Sequence, residues 1–499
     1  MALAAFFSRS ATDAWLIAWQ IPNLLRQVLA EGAVQTAVLP VLSQVREQDG
    51  DEAARSFFRA ISGFFLLVLL AVSVLGMVFA RELALTFASG FSSRPEQLEL
   101  TAQLTVWVFP YIFFMGSAAL GLAALNAHRR FVVTSFAPGL LNISFLICAI
   151  VLPAWLGARG TNAIFAMAVG GLAGGLLQVL AQWPSLRSIG YLEWPSFNFS
   201  HPGISLCLKR LAPTLLGIGV YAIDVMVGRR MLSELPEGSV TYFTYALRLC
   251  DFSQGIFVMA LSSATLPTLA TFVARGELQE VTRTLAFSLR LSLFVGLAAT
   301  FGSICLAEPM VATIFQRGHF SPGDALETTR AFVAQAAGIF LVAGVRQLVI
   351  VFFALGKTLI PVYVAVIDIV VFSAVGLGLR DTLGHVAISW GVTAARIVQF
   401  SLLWFALKKS LPPLPVGSIG VSMLKNLAAS VLAATVVWLS QSALAQLPFD
   451  SSMNHLIQLF VGGGLFCVAF FACASWLGSE ELRSAVGPLK RRLGIAQKN

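Results

Sequence analysis

From Thr134 to Trp155 the chain runs without a single charged side chain, and Ile61–Ala80 and Leu291–Leu306 are equally bare. At about 1.5 Å per residue, each run is long enough, or nearly so, to cross the hydrocarbon core of a bilayer as a helix. A water-soluble fold has no polar surface to spare for many such runs. Only 11% of the residues are charged and 57% are hydrophobic, with a mean hydropathy of +0.82. Soluble domains are about one-quarter charged. A β-barrel would show short alternating runs, which these are not. The expected fold class is an all-α polytopic membrane protein.

The net charge of +9 reads as topology. Lys and Arg gather in alternate loops: Arg46, Arg55 and Arg59; Arg129 and Arg130; Arg187, Lys209 and Arg210; Arg275 and Arg283; Lys357; Lys408 and Lys409; and the tail at Lys490, Arg491 and Arg492. The loops between hold only Arg81, Arg94, Arg159, Arg317 and Arg380. By the positive-inside rule the richer set, with the C-terminus, is cytoplasmic, and no nucleic-acid partner is implied. Six cysteines lack the paired spacing of a disulfide framework or zinc site. Five histidines fall in or near loops without a His-x-x-x-His pair. No metal site or membrane-embedded enzyme is expected.

Apolar runs predict helices near 13–42, 57–80, 97–122, 134–156, 160–183, 206–232, 238–272, 280–306, 322–352, 358–380, 383–408, 417–444 and 452–477. The chain also repeats itself. Ala33-x-x-Thr36-Ala37-x-Leu39-Pro40-x-Leu42 returns farther on as Ala260-x-x-Ser263-Ala264-x-Leu266-Pro267-x-Leu269. Pro138 followed by Gly160 is echoed, at nearly the same offset, by Pro361 followed by Gly384. Matching helices run in the same direction, so the repeat is parallel, with its halves about an axis along the membrane normal. The expected organisation is a six-helix N-terminal lobe (1–205), a six-helix C-terminal lobe (206–410), and a terminal helix pair with a basic tail (411–499). Under the repeat, helix 206–232 has its partner at about −21 to 5, so the first helix is largely missing from this sequence: either translation begins upstream of Met1, which is the expectation, or the protein has lost a helix.

Charge inside a bilayer is expensive and marks cavities or partners. Arg26 lies near the middle of segment 13–42, about 20 Å along the helix from Asp13. Glu31, at i+5, points to another face. Arg248 and Asp251 are three apart and share a face. Two readings stand: internal ion pairs that hold helices together, or arginines that grip an anion through their planar fork of donors. Position 26 corresponds to 253 in the repeat, which sets Arg248 about 7.5 Å away in depth, a spacing that suits a diphosphate. Asp224, Arg229, Arg230, Arg346, Asp368 and Arg396 also lie in apolar segments. Asp224 and Asp368 either hold a coupling cation or neutralise nearby arginines. Gly170-Gly171, Gly174-Gly175 and Gly462-Gly463-Gly464 suit close helix packing. Pro22, Pro110, Pro213 and Pro361 mark kinks or helix entries.

Several segments resemble the MurJ (MviN) lipid II flippase family of the multidrug/oligosaccharidyl-lipid/polysaccharide exporter superfamily. They are Ala11-Thr12-Asp13-Ala14, Ile21-Pro22-Asn23-Leu24-Leu25-Arg26, Ala30-Glu31-Gly32-Ala33, Leu39-Pro40-Val41-Leu42, Phe136–Ser144, Pro236-Glu237-Gly238-Ser239-Val240, Tyr245-Ala246-Leu247-Arg248-Leu249 and Phe315-Gln316-Arg317-Gly318-His319-Phe320. The resemblance implies fourteen helices around a V-shaped cavity, with a lipid-tail groove on 417–477. It implies a transporter, not an enzyme, that carries an undecaprenyl-diphosphate-linked muropeptide to the outer leaflet of the cytoplasmic membrane by alternating access. Arg26 and Arg248 match the family's substrate-binding arginines, and the resemblance makes Asp13, Asn23, Gln27, Glu31 and Asp251 polar residues that face the cavity or gate it. Gln27 stands where a second arginine is usual, Leu247 replaces an acid, and Asp251 replaces a Glu. The implied partners are the lipid-linked precursor, membrane lipids and the cell-wall synthesis machinery, with the chain itself a monomer that needs no cofactor. The family's sodium site does not map cleanly onto Asp224 and Asp368, so coupling to sodium or to the membrane potential stays open. The competing readings are another exporter of the superfamily, for a polysaccharide intermediate or a drug, and a degenerate, non-transporting scaffold.

The repeat register makes a direct prediction: the frame upstream of Met1 encodes about twenty more residues of apolar helix with basic residues. Genomic sequence checks it, and an in-frame stop directly before Met1 overturns it.

Overall fold

Inside a bilayer the backbone N–H and C=O groups find no water, so a spanning chain must satisfy them within helices or a closed barrel. The computed structural model, which describes residues 2–27, 34–155, 160–446 and 448–484, takes the helical solution and has no strand among those residues. In order the helices are α1 (Ala2–Phe6), α2 (Arg9–Arg26), α3 (Leu39–Val78), α4 (Ala80–Phe87), α5 (Pro95–Val108), α6 (Tyr111–Ala127), α7 (Phe131–Trp155), α8 (Phe165–Ser188) and α9 (Pro202–Ser233). They continue with α10 (Ser239–Ala274), α11 (Leu278–Cys305), α12 (Ala307–Phe315), α13 (Pro322–Ala336), α14 (Ile339–Ala354), α15 (Leu359–Leu383), α16 (His385–Lys408), α17 (Val416–Ala445) and α18 (Ser451–Trp476). Among the described residues nine helical spans are long and apolar enough to cross a membrane, or ten with the bent pair α13–α14. The other long helices, α2, α9 and α10, are those that carry Asp13, Arg26, Asp224, Arg229, Arg248 and Asp251.

Helices fall where the apolar runs predict them, with differences in detail. Segment 13–42 is not one continuous α-helix: a π-helical turn at Val34–Val38 leads into α3. Within α3 the helix is interrupted at Gly50, whose φ of 89° is a conformation that side chains with a Cβ resist. Segment 97–122 divides into α5 and α6 at Phe109–Pro110, because proline lacks the N–H that would continue the ladder. Segment 322–352 divides into α13 and α14, bent by 41°. The offset of the sequence repeat, that from Ala33 to Ala260, recurs in these boundaries. It separates the starts of α4 and α12 at Ala80 and Ala307, the starts of α5 and α13 at Pro95 and Pro322, and the ends of α1 and α9 at Phe6 and Ser233.

The chain forms two compact units, Met1–Thr241 with Arg317–His319, and Tyr242–Gln316 with Phe320–Asn499. In unit 1 one core joins Val38 and Leu42 to Phe57, Ile61, Leu120 and Ala124, and another joins Ile21 to Leu69, Phe109 and Ile112. In unit 2, Leu285 and Leu289 of α11 pack with Leu348, Val351 and Phe352 of α14 and with Leu403 and Leu407 of α16. The terminal pair packs on α11 through Phe294, Ala433, Val437, Phe466 and Phe470. Beyond α18 an ionic clasp reinforces this contact: Arg290 donates to Glu480 at 2.5 Å and to Glu481 at 2.6 Å. Burial works against charge on Glu481, but its backbone hydrogen bond, Arg290 and the Ser479 and Ser422 hydroxyls outweigh it and hold its pKa below the usual range.

Outward faces are apolar as well. Phe136 of α7 is 76% exposed and Phe460 of α18 70%, which suits a surface solvated by lipid. With lipid outside, helix association rests on close packing more than on apolar burial. The α7–α8 contact shows how: Gly170 lies against Phe145 and Cys148, Gly174 against Leu141, and Ser144 Oγ donates to the Gly170 carbonyl at 2.8 Å. A Cβ on Gly174 would stand 2.9 Å from Leu141 Cα, whereas one on Gly464 of α18 would meet nothing within 4 Å. Gly174→Ala should therefore destabilise the protein by about 1–3 kcal/mol, while Gly464→Ala leaves thermal unfolding in detergent unchanged or slightly raised.

Candidate functional site

Arg26 closes α2, and its Nε donates to Asn23 Oδ1 at 3.0 Å, one turn back on the same helix face. Both side chains line a cavity of about 420 Å³ inside unit 1, together with Tyr111, Met115 and Asn126 of α6, Pro138 and Leu141 of α7, and Gln178 of α8. The apolar periodicity of these helices supplies the wall, and the polar groups project from a few positions on it.

Unit 2 holds a second cavity, about 580 Å³, in the same register. Val342, Arg346 and Phe353 of α14 line it, and they are the repeat counterparts of Met115, Ala119 and Asn126, which line the first. On the opposite wall Gln399 of α16 answers Gln178 of α8, at a slightly shorter offset. That shorter offset is shared by Gly170 and Gly391, Gly174 and Ala395, and Trp183 and Trp404. The sequence reading passes over both glutamines, although this spacing is the signal that pairs them.

The second cavity carries more charge, with Asp251, Arg346 and Arg396 in its lining, and the charge of Arg396 is paired. Arg396 Nη1 donates to Gln399 Oε1 at 2.7 Å and lies 3.4 Å from both carboxylate oxygens of Asp368. The Asp368 side chain is only 7% exposed. Of the two roles considered for Asp368, this geometry is that of a neutralising partner. Arg248 and Asp251 of α10 approach at 3.7 Å with side chains 68% and 56% exposed, a loose pair worth about 0–1 kcal/mol. Asp251 belongs to the cavity lining and Arg248 does not.

Asp13 departs from the cavity-facing role expected of it. Its Oδ2 accepts from the Gly238 N–H at 2.7 Å, and its Oδ1 from the Thr241 N–H at 2.8 Å and the Thr241 hydroxyl at 2.5 Å. Gly238, at φ 94°, turns the chain into α10, so the carboxylate caps that helix where its N–H groups have no intrahelical acceptor. Only 1% exposed, Asp13 is a structural anchor. Gln27, half-buried, sits at the C-cap of α2, its N–H directed at the Asn23 and Leu24 carbonyls. Asp224 is half-buried on α9, where Arg229 donates to Gln20 Oε1 at 3.4 Å. Glu31 lies outside the described residues.

Residues 3–457 match the family described as "Lipid II flippase MurJ". The chain is 30% identical to a protein of Bdellovibrio bacteriovorus named "Probable lipid II flippase MurJ", over 97% of this chain and 91% of that one. Among solved structures it superposes on "Lipid II flippase MurJ, inward closed conformation" with a TM-score of 0.77 at 22% identity, covering 95% of each chain. It also superposes on an inward-facing multidrug resistance MATE family transporter of the MOP superfamily, with a TM-score of 0.65 at 14% identity, covering 82% of this chain and 95% of that one. At such identities the structural likeness concerns the fold alone.

The Asp368–Arg396 geometry predicts strong coupling. Asp368→Ala should lower the thermal stability of the purified protein, and adding Arg396→Ala should restore much of it, with an interaction energy of about 0.5–3 kcal/mol in a double-mutant cycle. Additive losses would mean that the two residues do not act as a pair.

Proposed function

This chain belongs to the MurJ family of lipid II flippases, and on that premise we propose that it moves lipid II from the inner to the outer leaflet of the cytoplasmic membrane. It is a multi-pass transporter, not an enzyme. The physical task is to carry a charged, sugar-bearing head group across hydrocarbon while the tail stays in lipid. An isolated charge there costs several kcal/mol, and a polar cavity with fixed donors removes much of that cost.

The observation that carries the assignment of the binding residue is Arg26, held by Asn23 and lining, with a few other polar groups, a cavity in an otherwise apolar bundle. A guanidinium keeps its charge at every physiological pH and offers paired donors to a phosphate. Arg248, exposed and only loosely paired with Asp251, supplies a second cation at small cost in lost contacts. The roles differ in kind: Arg26 and Arg248 bind the diphosphate, while Asp13 and Asp368 hold helices and charges in place. The basic tail lies on the cytoplasmic side, and the chain works as a monomer within the membrane.

In a flippase-depleted strain the wild-type gene should restore growth. Arg26→Ala should fail at unchanged membrane abundance, having lost a charge-assisted contact worth about 1.5–3 kcal/mol. Arg26→Lys should be partly active, because a point charge cannot reproduce the bidentate fork. Full complementation by Arg26→Ala would overturn the binding role, and failure of the wild-type gene would favour a non-transporting scaffold.

A further inference from the structure

The cavity of unit 1 contains a polar group that neither the arginine pair nor the packing accounts for. Gln178 of α8 is 1% exposed, yet its Nε2 has no hydrogen-bond partner. A buried amide left unpaired costs about 1–3 kcal/mol, and Leu or Met would fill the same helix position without that penalty. The residue lines the same cavity as Arg26 and Asn23. Its repeat counterpart, Gln399, is engaged: Arg396 donates to it at 2.7 Å. The same position thus serves an internal guanidinium in unit 2, whereas in unit 1 position 175, which corresponds to Arg396, is Gly175. Gly175 presents no side chain and packs against Phe114 and Tyr111.

We propose that Gln178 is a substrate-contacting residue whose amide N–H donates to an acceptor oxygen of the bound head group, completing a donor set with Arg26. This rests on the flippase reading and extends it to a residue on α8. The acceptor is an oxygen of the diphosphate or of the sugar next to it. Both are rich in acceptors where the lipid-linked head group meets an arginine, and both match an N–H better than a hydrocarbon wall does.

The test is binding of purified protein in detergent to lipid II and to undecaprenyl diphosphate without the sugar, for the wild type, Gln178→Leu and Gln178→Glu. Wild-type protein should bind lipid II; if it does not, the flippase reading itself fails. Gln178→Leu should weaken lipid II binding about tenfold or more, the loss of one hydrogen bond to a charged or strongly polar acceptor. Its thermal stability without ligand should hold or rise, because no native hydrogen bond of Nε2 is lost, while the shift on adding lipid II shrinks. Gln178→Glu should be worse than Gln178→Leu if the acceptor is a phosphate oxygen, since it sets an anion against an anion. Loss for both lipids assigns the diphosphate, and loss for lipid II alone assigns the sugar. Wild-type affinity in Gln178→Leu for both, or a fall in ligand-free stability with the ligand-induced shift intact, overturns the proposal and leaves Gln178 a packing residue.

Discussion

Hydrocarbon cannot solvate charge, and the arrangement of this protein follows from how its buried charges are compensated. Asp13 is compensated by two backbone N–H groups and a hydroxyl at the start of α10. Asp368 meets the guanidinium of Arg396, which Gln399 also holds. These groups are committed to one another, and removing one partner would strand the other in a medium that penalises it. Arg26 lines the cavity of unit 1. Its Nε donates to the neutral amide of Asn23, and both residues stand among the few polar groups of a mainly apolar wall.

The internal repeat shows how one scaffold is put to two uses. Equivalent positions line a cavity in each unit, so the helix registers and one close-packed glycine contact, that of Gly170 and Gly391, are retained while the liners change. Ala119 becomes Arg346, Asn126 becomes Phe353 and Gly175 becomes Arg396. These exchanges add two arginines to the unit 2 cavity, of which Arg396 meets Asp368, and leave the unit 1 cavity with Arg26, Asn23, Asn126 and Gln178. The helix breaks follow the repeat more loosely. Proline interrupts α5–α6, but the bend between α13 and α14 occurs with Ala336, Ala337 and Gly338 at the junction, so the geometry is kept by packing where the residue that enforces it is absent.

Much of this was legible in the sequence because bilayer physics acts locally. A run of about twenty residues without charge has few options besides a helix, so Thr134–Trp155 and Ile61–Ala80 announce their structure unaided. The internal repeat and the close-packing glycines of α8 were readable for the same reason, through periodicity and spacing. The division of α3 at Gly50 and the π-helical turn at Val34–Val38 were not, since both depend on backbone adjustments that composition does not encode.

What the sequence could not decide was which polar residues face one another. Asp13 and Arg26 share a segment and look alike as charges out of place, yet a contact to Gly238 and Thr241, nearly half the chain away, makes one an anchor, while the other lines a cavity. Asp368 could be read as a cation ligand until its distance to Arg396 was known, and Gln178 drew no notice because a glutamine in a helix becomes informative only once its burial and its missing partner are seen. The sequence alone determined that the chain is helical, membrane-embedded and duplicated, because those properties follow from the solvent and from local periodicity. Tertiary structure alone decided the role of each polar group, because hydrogen bonds and ion pairs act over about 3–4 Å, and only the folded chain brings distant segments that close.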